Sequence, residues 1–160
     1  MPAQRRHARK QRLESAFSRA EEAIRNSGWD AALQSDLAKY LCVLLSGFVE
    51  ATIEDIVVDY AIARGDQRLV KAVRGIADRF QNPKPGTLLD FLAAFDVEWR
   101  HRLEHFFSEE ISRQDALLSV VDNRNRIAHG EDSGVSFYKL RDWQKTIFET
   151  VDFVEATCLT

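Results

Sequence analysis

The segment from Ser35 to Gly65 constrains the fold more than any other, because Leu37, Leu41, Leu44, Phe48, Ile53, Ile56 and Tyr60 recur in it at intervals of three, four or five residues. That spacing is helical, and a helix this long and this apolar is the expected spine of the molecule. Seven Gly and three Pro in 160 residues leave few tight turns, which argues against a sandwich or barrel with a turn every ~8–12 residues. At 45% hydrophobic and 29% charged residues, the chain can fold unaided around one core. The expectation is an all-α single domain over residues 1–160.

Shorter periodic segments surround the spine. A first helix carries Leu13, Phe17, Ala20 and Ile24 and stops at Asn26-Ser27-Gly28, where Gly acts as a C-terminal breaker. A more polar helix from about Gln67 to Phe80 ends at Gln81-Asn82-Pro83-Lys84-Pro85-Gly86, a cluster of breakers that reads as a loop. Thr87 is positioned to cap a short helix over Leu88, Leu89, Leu92 and Phe95, and another carries Val97, Trp99, Leu103, Phe106 and Phe107. Ser112, with Asp115 as a capping-box variant, opens a helix through Leu117, Val120 and Val121 toward Gly130. The last starts near Ser136 or Phe137 and runs through Leu140, Trp143, Ile147, Val151 and Val154. Together these predict an antiparallel helical bundle with a small helical insertion between about Gln67 and Glu110.

Charge is unevenly spread. The chain has 22 basic and 25 acidic residues, a net charge of −3, yet Arg5, Arg6, Arg9, Lys10 and Arg12 precede the first acid, Glu14. Residues 1–12 therefore read either as a basic N-terminal arm able to track phosphates or as the solvated start of a helix. Cys42 and Cys158 lie far apart with no CxxC spacing, as expected in a reducing cytoplasm. The apolar run from Tyr40 to Val49 is about half the ~20 residues of a membrane span, and neither a secretory leader nor a membrane association is expected.

The string Arg124-Asn125-Arg126-Ile127-Ala128-His129-Gly130 is where chemistry concentrates. Arg124 continues the apolar stripe of Leu117 and Val121, and a buried cation is costly unless paired. A structural ion pair with Glu50 or Asp122 would account for it. His129 would lie about 140° around an unbroken helix from Arg124, so the two share a target only if Gly130 frees His129 to turn or a second chain completes the site. A His at a helix C-terminus is also a favourable dipole contact in its own right.

This string, preceded by the apolar stretch Ala116 to Val121 and followed by a final amphipathic helix, resembles the signature of the HEPN superfamily: Arg, a polar residue, a short spacer, then His. Arg124, Asn125 and His129 match position by position. The long helix LCVLLSGFVEATIEDIVVDY and the stretch NPKPGTLLDFLAAF resemble the RiboL-PSP-associated branch, so the likeness spans about Leu37 to Val154. RxxxxH arises by chance in about 40% of chains of this length, whereas RNxxxH arises in about 2%, so Asn125 gives the match its specificity. Arg100 and His105, with His101 between them, repeat the spacing as a decoy, but inside a continuous helical pattern with no terminator.

The resemblance implies a metal-independent endoribonuclease, a toxin or anti-phage effector acting on RNA as a homodimer, with an antitoxin or other defence-system protein as a further partner. Cleavage of RNA without metal needs a base for the 2′-hydroxyl, an acid for the 5′-oxygen and a cation for the phosphorane. His129 suits the proton transfers, Arg124 the phosphate, and Asn125 the orientation of either group. Arg126 and the basic run Arg5, Arg6, Arg9, Lys10 and Arg12 are the candidate RNA contacts, and Glu50 the candidate support for Arg124. With one such His per chain, two copies related by a two-fold would supply the pair of proton carriers. No HExxH, paired DxD, Walker or GxGxxG motif occurs, so no metal or cofactor is expected. His101 and His105 have ligand spacing but no third ligand. Two other readings remain open: a non-catalytic adaptor or dimerisation module of this fold, and a regulatory subunit pairing with a separately encoded nucleotidyltransferase or antitoxin.

Overall fold

The computed structural model describes residues 2–160. These form seven helices: α1 (Pro2–Ser27), α2 (Ala31–Ala63), α3 (Gln67–Ala77), α4 (Pro85–Ala93), α5 (Val97–Glu109), α6 (Ser112–Ala128) and α7 (Phe137–Leu159). No strand occurs among the described residues, as expected for an all-α chain. The spine is α2, whose Ala38, Leu41, Cys42, Leu45, Ile53, Ile56 and Val57 are buried beneath α1, α3, α6 and α7. Burying a side chain such as Leu45 or Ile53 contributes about 1.5–3 kcal/mol relative to exposure, so the core is organised around this helix.

Helix boundaries follow local chemistry. Asp30, not Ser35, caps α2 by accepting from the Leu33 N–H at 2.8 Å, which starts the spine a turn earlier than its apolar pattern indicated. Pro85 rather than a Thr87 cap begins α4, since proline's fixed φ suits the first helical turn. The capping box expected at Ser112 does not form: its hydroxyl donates to Glu110 at 2.8 Å, and no side chain caps α6. Ser136 does cap α7, accepting from the Lys139 N–H. The segment expected as an insertion joins the same core, with Leu88, Leu92, Leu103 and Phe107 each about 1% exposed.

The basic run is not an arm. It forms the first three turns of α1, and Arg6 is 4% exposed, its guanidinium shared between Asp59 of α2 and Glu155 of α7. Arg9 pairs with Asp55 at 2.7 Å and Lys10 with Asp152 at 2.6 Å, while Arg5 and Arg12 stay exposed. The physical reason is complementarity, because the acids of α2 and α7 line the groove into which α1 lies. The ladder also fixes direction. As α1 advances from Arg6 to Glu14, its partners retreat along α7 from Glu155 to Arg141 and along α2 from Asp59 to Ala51. Helix α1 is therefore antiparallel to both, and α2 and α7 run parallel to each other.

Between residues 3 and 12 the only buried side chain is that of Arg6, so these turns are anchored by charge rather than by apolar packing. Arg6→Ala should therefore fray residues 3–12 locally, lowering their amide exchange protection by about 3 kcal/mol, the lower edge of the range for breaking a buried pair. Protection beyond Phe17 should be kept. Unchanged protection in the first three turns would contradict the anchoring role.

Candidate functional site

The loop between α3 and α4 is folded back onto α6. Asn82 takes a left-handed conformation, φ 53°, which asparagine tolerates better than most residues. That turn directs its backbone N–H to Glu50 Oε1 of α2 at 3.1 Å. Its side-chain Oδ1 accepts from Arg124 Nη1 of α6 at 3.4 Å. Two residues on, Lys84 pairs with Asp122 of α6 at 2.7 Å, a second tie between the same loop and the same helix.

Arg124 is half-buried, and its Nη1 also donates to Asn125 Oδ1 at 3.0 Å. Among the described residues it makes no ion pair: Glu50 is turned to the Asn82 amide and Asp122 to Lys84. The structural ion pair that would have explained Arg124 is thus not formed with either carboxylate. Neutral amide oxygens orient the guanidinium without cancelling its charge, leaving a positioned cation for an external anion.

His129 behaves differently from the sequence expectation. It is the C-cap of α6, with φ −91° and ψ 5°, and its N–H still bonds to the Asn125 and Arg126 carbonyls at 3.1 and 3.2 Å. The chain turns only at Gly130, φ 73°, where the Gly130 and Glu131 N–H groups bond back to Ile127 and Arg126 in a Schellman closure. Gly130 thus ends the helix without releasing His129, which stays on the helical path about 7.5 Å along the axis and ~140° around it from Arg124. The imidazole is exposed and has no side-chain partner among the described residues. One chain brings together Glu50, Asn82, Arg124 and Asn125, and holds His129 apart. Arg126 is exposed beside them.

The decoy is occupied. Arg100 pairs with Asp90 at 2.6 Å and with Glu104 at 2.8 Å, so its charge is satisfied, and His101 and His105 lie exposed against Glu104 and Glu109. Burial pushes the Cys42 thiol up to about 11 and the Cys158 thiol up to about 12, which keeps both protonated and non-nucleophilic near neutral pH. Among the described residues no cluster of three or more metal-ligating side chains occurs, and no helix is long and apolar enough to cross a membrane.

Asn82 is the residue that sequence reasoning missed. Its signal was available only in part: a breaker cluster marks a loop but does not say which helix the loop docks on. If Glu50 holds this loop, Glu50→Ala should cost about 1–2 kcal/mol by urea unfolding, because a half-buried N–H loses its acceptor. Glu50→Gln, which keeps an oxygen in place, should cost about half as much. Equal losses in the two variants would show that Glu50 does not act through that bond.

The sequence model of the RiboL-PSP-HEPN family matches residues 5–159, nearly the whole chain. No curated protein and no solved structure matches it.

Proposed function

Because the chain belongs to the RiboL-PSP-HEPN family, we propose that it is a metal-independent endoribonuclease whose site is completed by a second copy of the chain. The observation that carries this reading is the Arg124 guanidinium, half-buried and held by amide oxygens while both nearby carboxylates are engaged elsewhere. A purely structural arginine at such a position is ordinarily neutralised by an acid. This one is oriented and left charged, which suits the phosphorane of a phosphodiester.

In the proposed reaction His129 accepts the proton of the substrate's 2′-hydroxyl as that oxygen attacks phosphorus. The bond from phosphorus to the 5′-oxygen breaks, and the protonated His129 of the second copy supplies the proton to that leaving oxygen. Arg124 neutralises the phosphorane and Asn125 keeps the guanidinium aligned. Arg126 is proposed as an RNA contact beside the site, and Arg5 and Arg12 as further ones, since Arg6, Arg9 and Lys10 are engaged within the fold.

Two features favour two copies. Within one chain Arg124 and His129 diverge around α6, and one imidazole cannot serve as base and acid at once. The face of α2 that continues from Glu50 through Gly47 also exposes Leu44, Val43 and Tyr40, the last 60% exposed, an apolar strip adjoining the half-site. We assign the activity to a toxin or anti-phage effector held in check by an antitoxin or other defence-system protein. Growth arrest on expression, relieved by His129→Ala, is the expected signature of that role.

Arg124→Ala and His129→Ala should each lower RNA cleavage by about 10²–10⁴-fold while leaving the helical circular dichroism intact. Cleavage by the unaltered protein should persist in EDTA and leave a 2′,3′-cyclic phosphate and a 5′-hydroxyl. RNA carrying a 2′-O-methyl group at the scissile nucleotide should be inert. A strict need for magnesium, or cutting of DNA, would overturn the mechanism. Absence of cleavage under all conditions would favour the non-catalytic module.

A further inference from the structure

Among the described residues, cations without ion-pair partners cluster not in the basic N-terminal run, where Arg6, Arg9 and Lys10 are paired, but on α3 and its flanks. Arg64, Arg68, Lys71, Arg74 and Arg79 are all exposed, and none forms an ion pair among the described residues. Five cations within residues 64–79 face two carboxylates, in a chain whose net charge is −3. Neither carboxylate forms an ion pair with these cations, and both are engaged by other groups. Asp66 caps α3, accepting from the Arg68 and Leu69 N–H groups at 2.8 and 3.4 Å, and Asp78 lies against Glu54 of α2, whose carboxyl is pushed up by burial and by the Asp78 and Asp55 charges.

The geometry of α3 groups these cations. Val73 and Ala77 are buried against the core and Val70 packs beside them. At ~100° per residue, Arg68, Lys71 and Arg74 fall within an arc of about 120° centred some 130° from that buried face. Arg68 and Arg74 are separated by a rise of about 9 Å, comparable to the ~8 Å Debye length at physiological salt, so their fields act together on one ligand. A cavity of about 410 Å³ lies at the foot of this face, lined by Ile62, Gly65, Gln67, Val70, Lys71 and Arg74. The C-terminal end of α3 leads within five residues to Asn82, the contact of Arg124.

We propose that α3 is a docking surface for the phosphate backbone of single-stranded RNA, set beside the Arg124 half-site by the loop that α3 itself feeds. The identity of the polymer rests on the ribonuclease reading. The surface rests on charge complementarity: a row of unneutralised cations suits a polyanion, and planar guanidinium groups also stack on unpaired bases.

The test uses the full chain with His129→Ala, so that the probe, a short fluorescent single-stranded RNA, is not cleaved during titration. Binding is followed by anisotropy over a range of salt concentrations. Adding Arg68→Gln, Lys71→Gln and Arg74→Gln, which preserve helix propensity on an exposed face, should reduce the log–log salt slope by about 2, or ~0.7 for each single-strand phosphate no longer neutralised. Arg19→Gln, Arg102→Gln and Lys145→Gln remove the same charge from α1, α5 and α7 and should change the slope by less than about 0.7. Equal effects of the two sets, an unchanged slope for the α3 set, or binding of that face to anionic lipid vesicles instead of RNA would overturn the proposal. The α3 effect in a protein that never cleaves RNA would support the surface while refuting the ribonuclease reading. Cleavage accompanied by an unchanged slope would do the reverse.

Discussion

The structure depends on covering α2. A 33-residue helix with buried residues from Ala38 to Ala61 cannot be stable alone, and its core face dictates where α1, α3, α6 and α7 lie. The same helix carries functional groups at the edge of that buried face. Asp55 and Asp59 draw the basic turns of α1 into their groove, and Glu50 catches the loop that reaches Arg124. The placement of Arg124 is thus a by-product of burying the spine, with a single carboxylate passing position from α2 to α6 through Asn82.

The electrostatics separate structural from available charge. Arg6, Arg9, Lys10, Arg100 and Arg141 all meet carboxylates, whereas Arg124 meets amide oxygens and the α3 cations meet no acid among the described residues. In a chain with more acids than bases, cations left without partners are the ones to interpret. Arg5, Arg12, Arg19, Arg102 and Lys145 are scattered over α1, α5 and α7, whereas the cations of α3 and its flanks lie together, one short loop away from Arg124.

Helix content, the spine and the α6 signature were legible in the sequence because each is local: periodicity, breakers and a short string suffice. The Arg124-Asn125 hydrogen bond was not legible, because neighbouring side chains on a helix point about 100° apart and adjacency does not bring them together. What else was not legible depends on tertiary pairing. The run Arg5 to Arg12 looks the same in sequence whether it is an arm or a docked helix, and only the acids of α2 and α7, more than forty residues away, decide. Asn82 was hidden for the same reason, since its importance lies in touching Glu50 and Arg124, 32 and 42 residues distant. Gly130 reads as a terminator in the sequence, but whether His129 precedes or follows the change of direction is a backbone detail that composition does not encode.

The central claim is that each chain holds half of a site, with the oriented cation on one side of α6 and the imidazole on the other. The most direct measurement is specific RNA-cleaving activity over a dilution series, compared with the dimer fraction from sedimentation of the same samples. A shared site predicts that the two curves fall together. A dilute monomer that retains full specific activity would contradict the account and require that the second proton carrier lie within one chain.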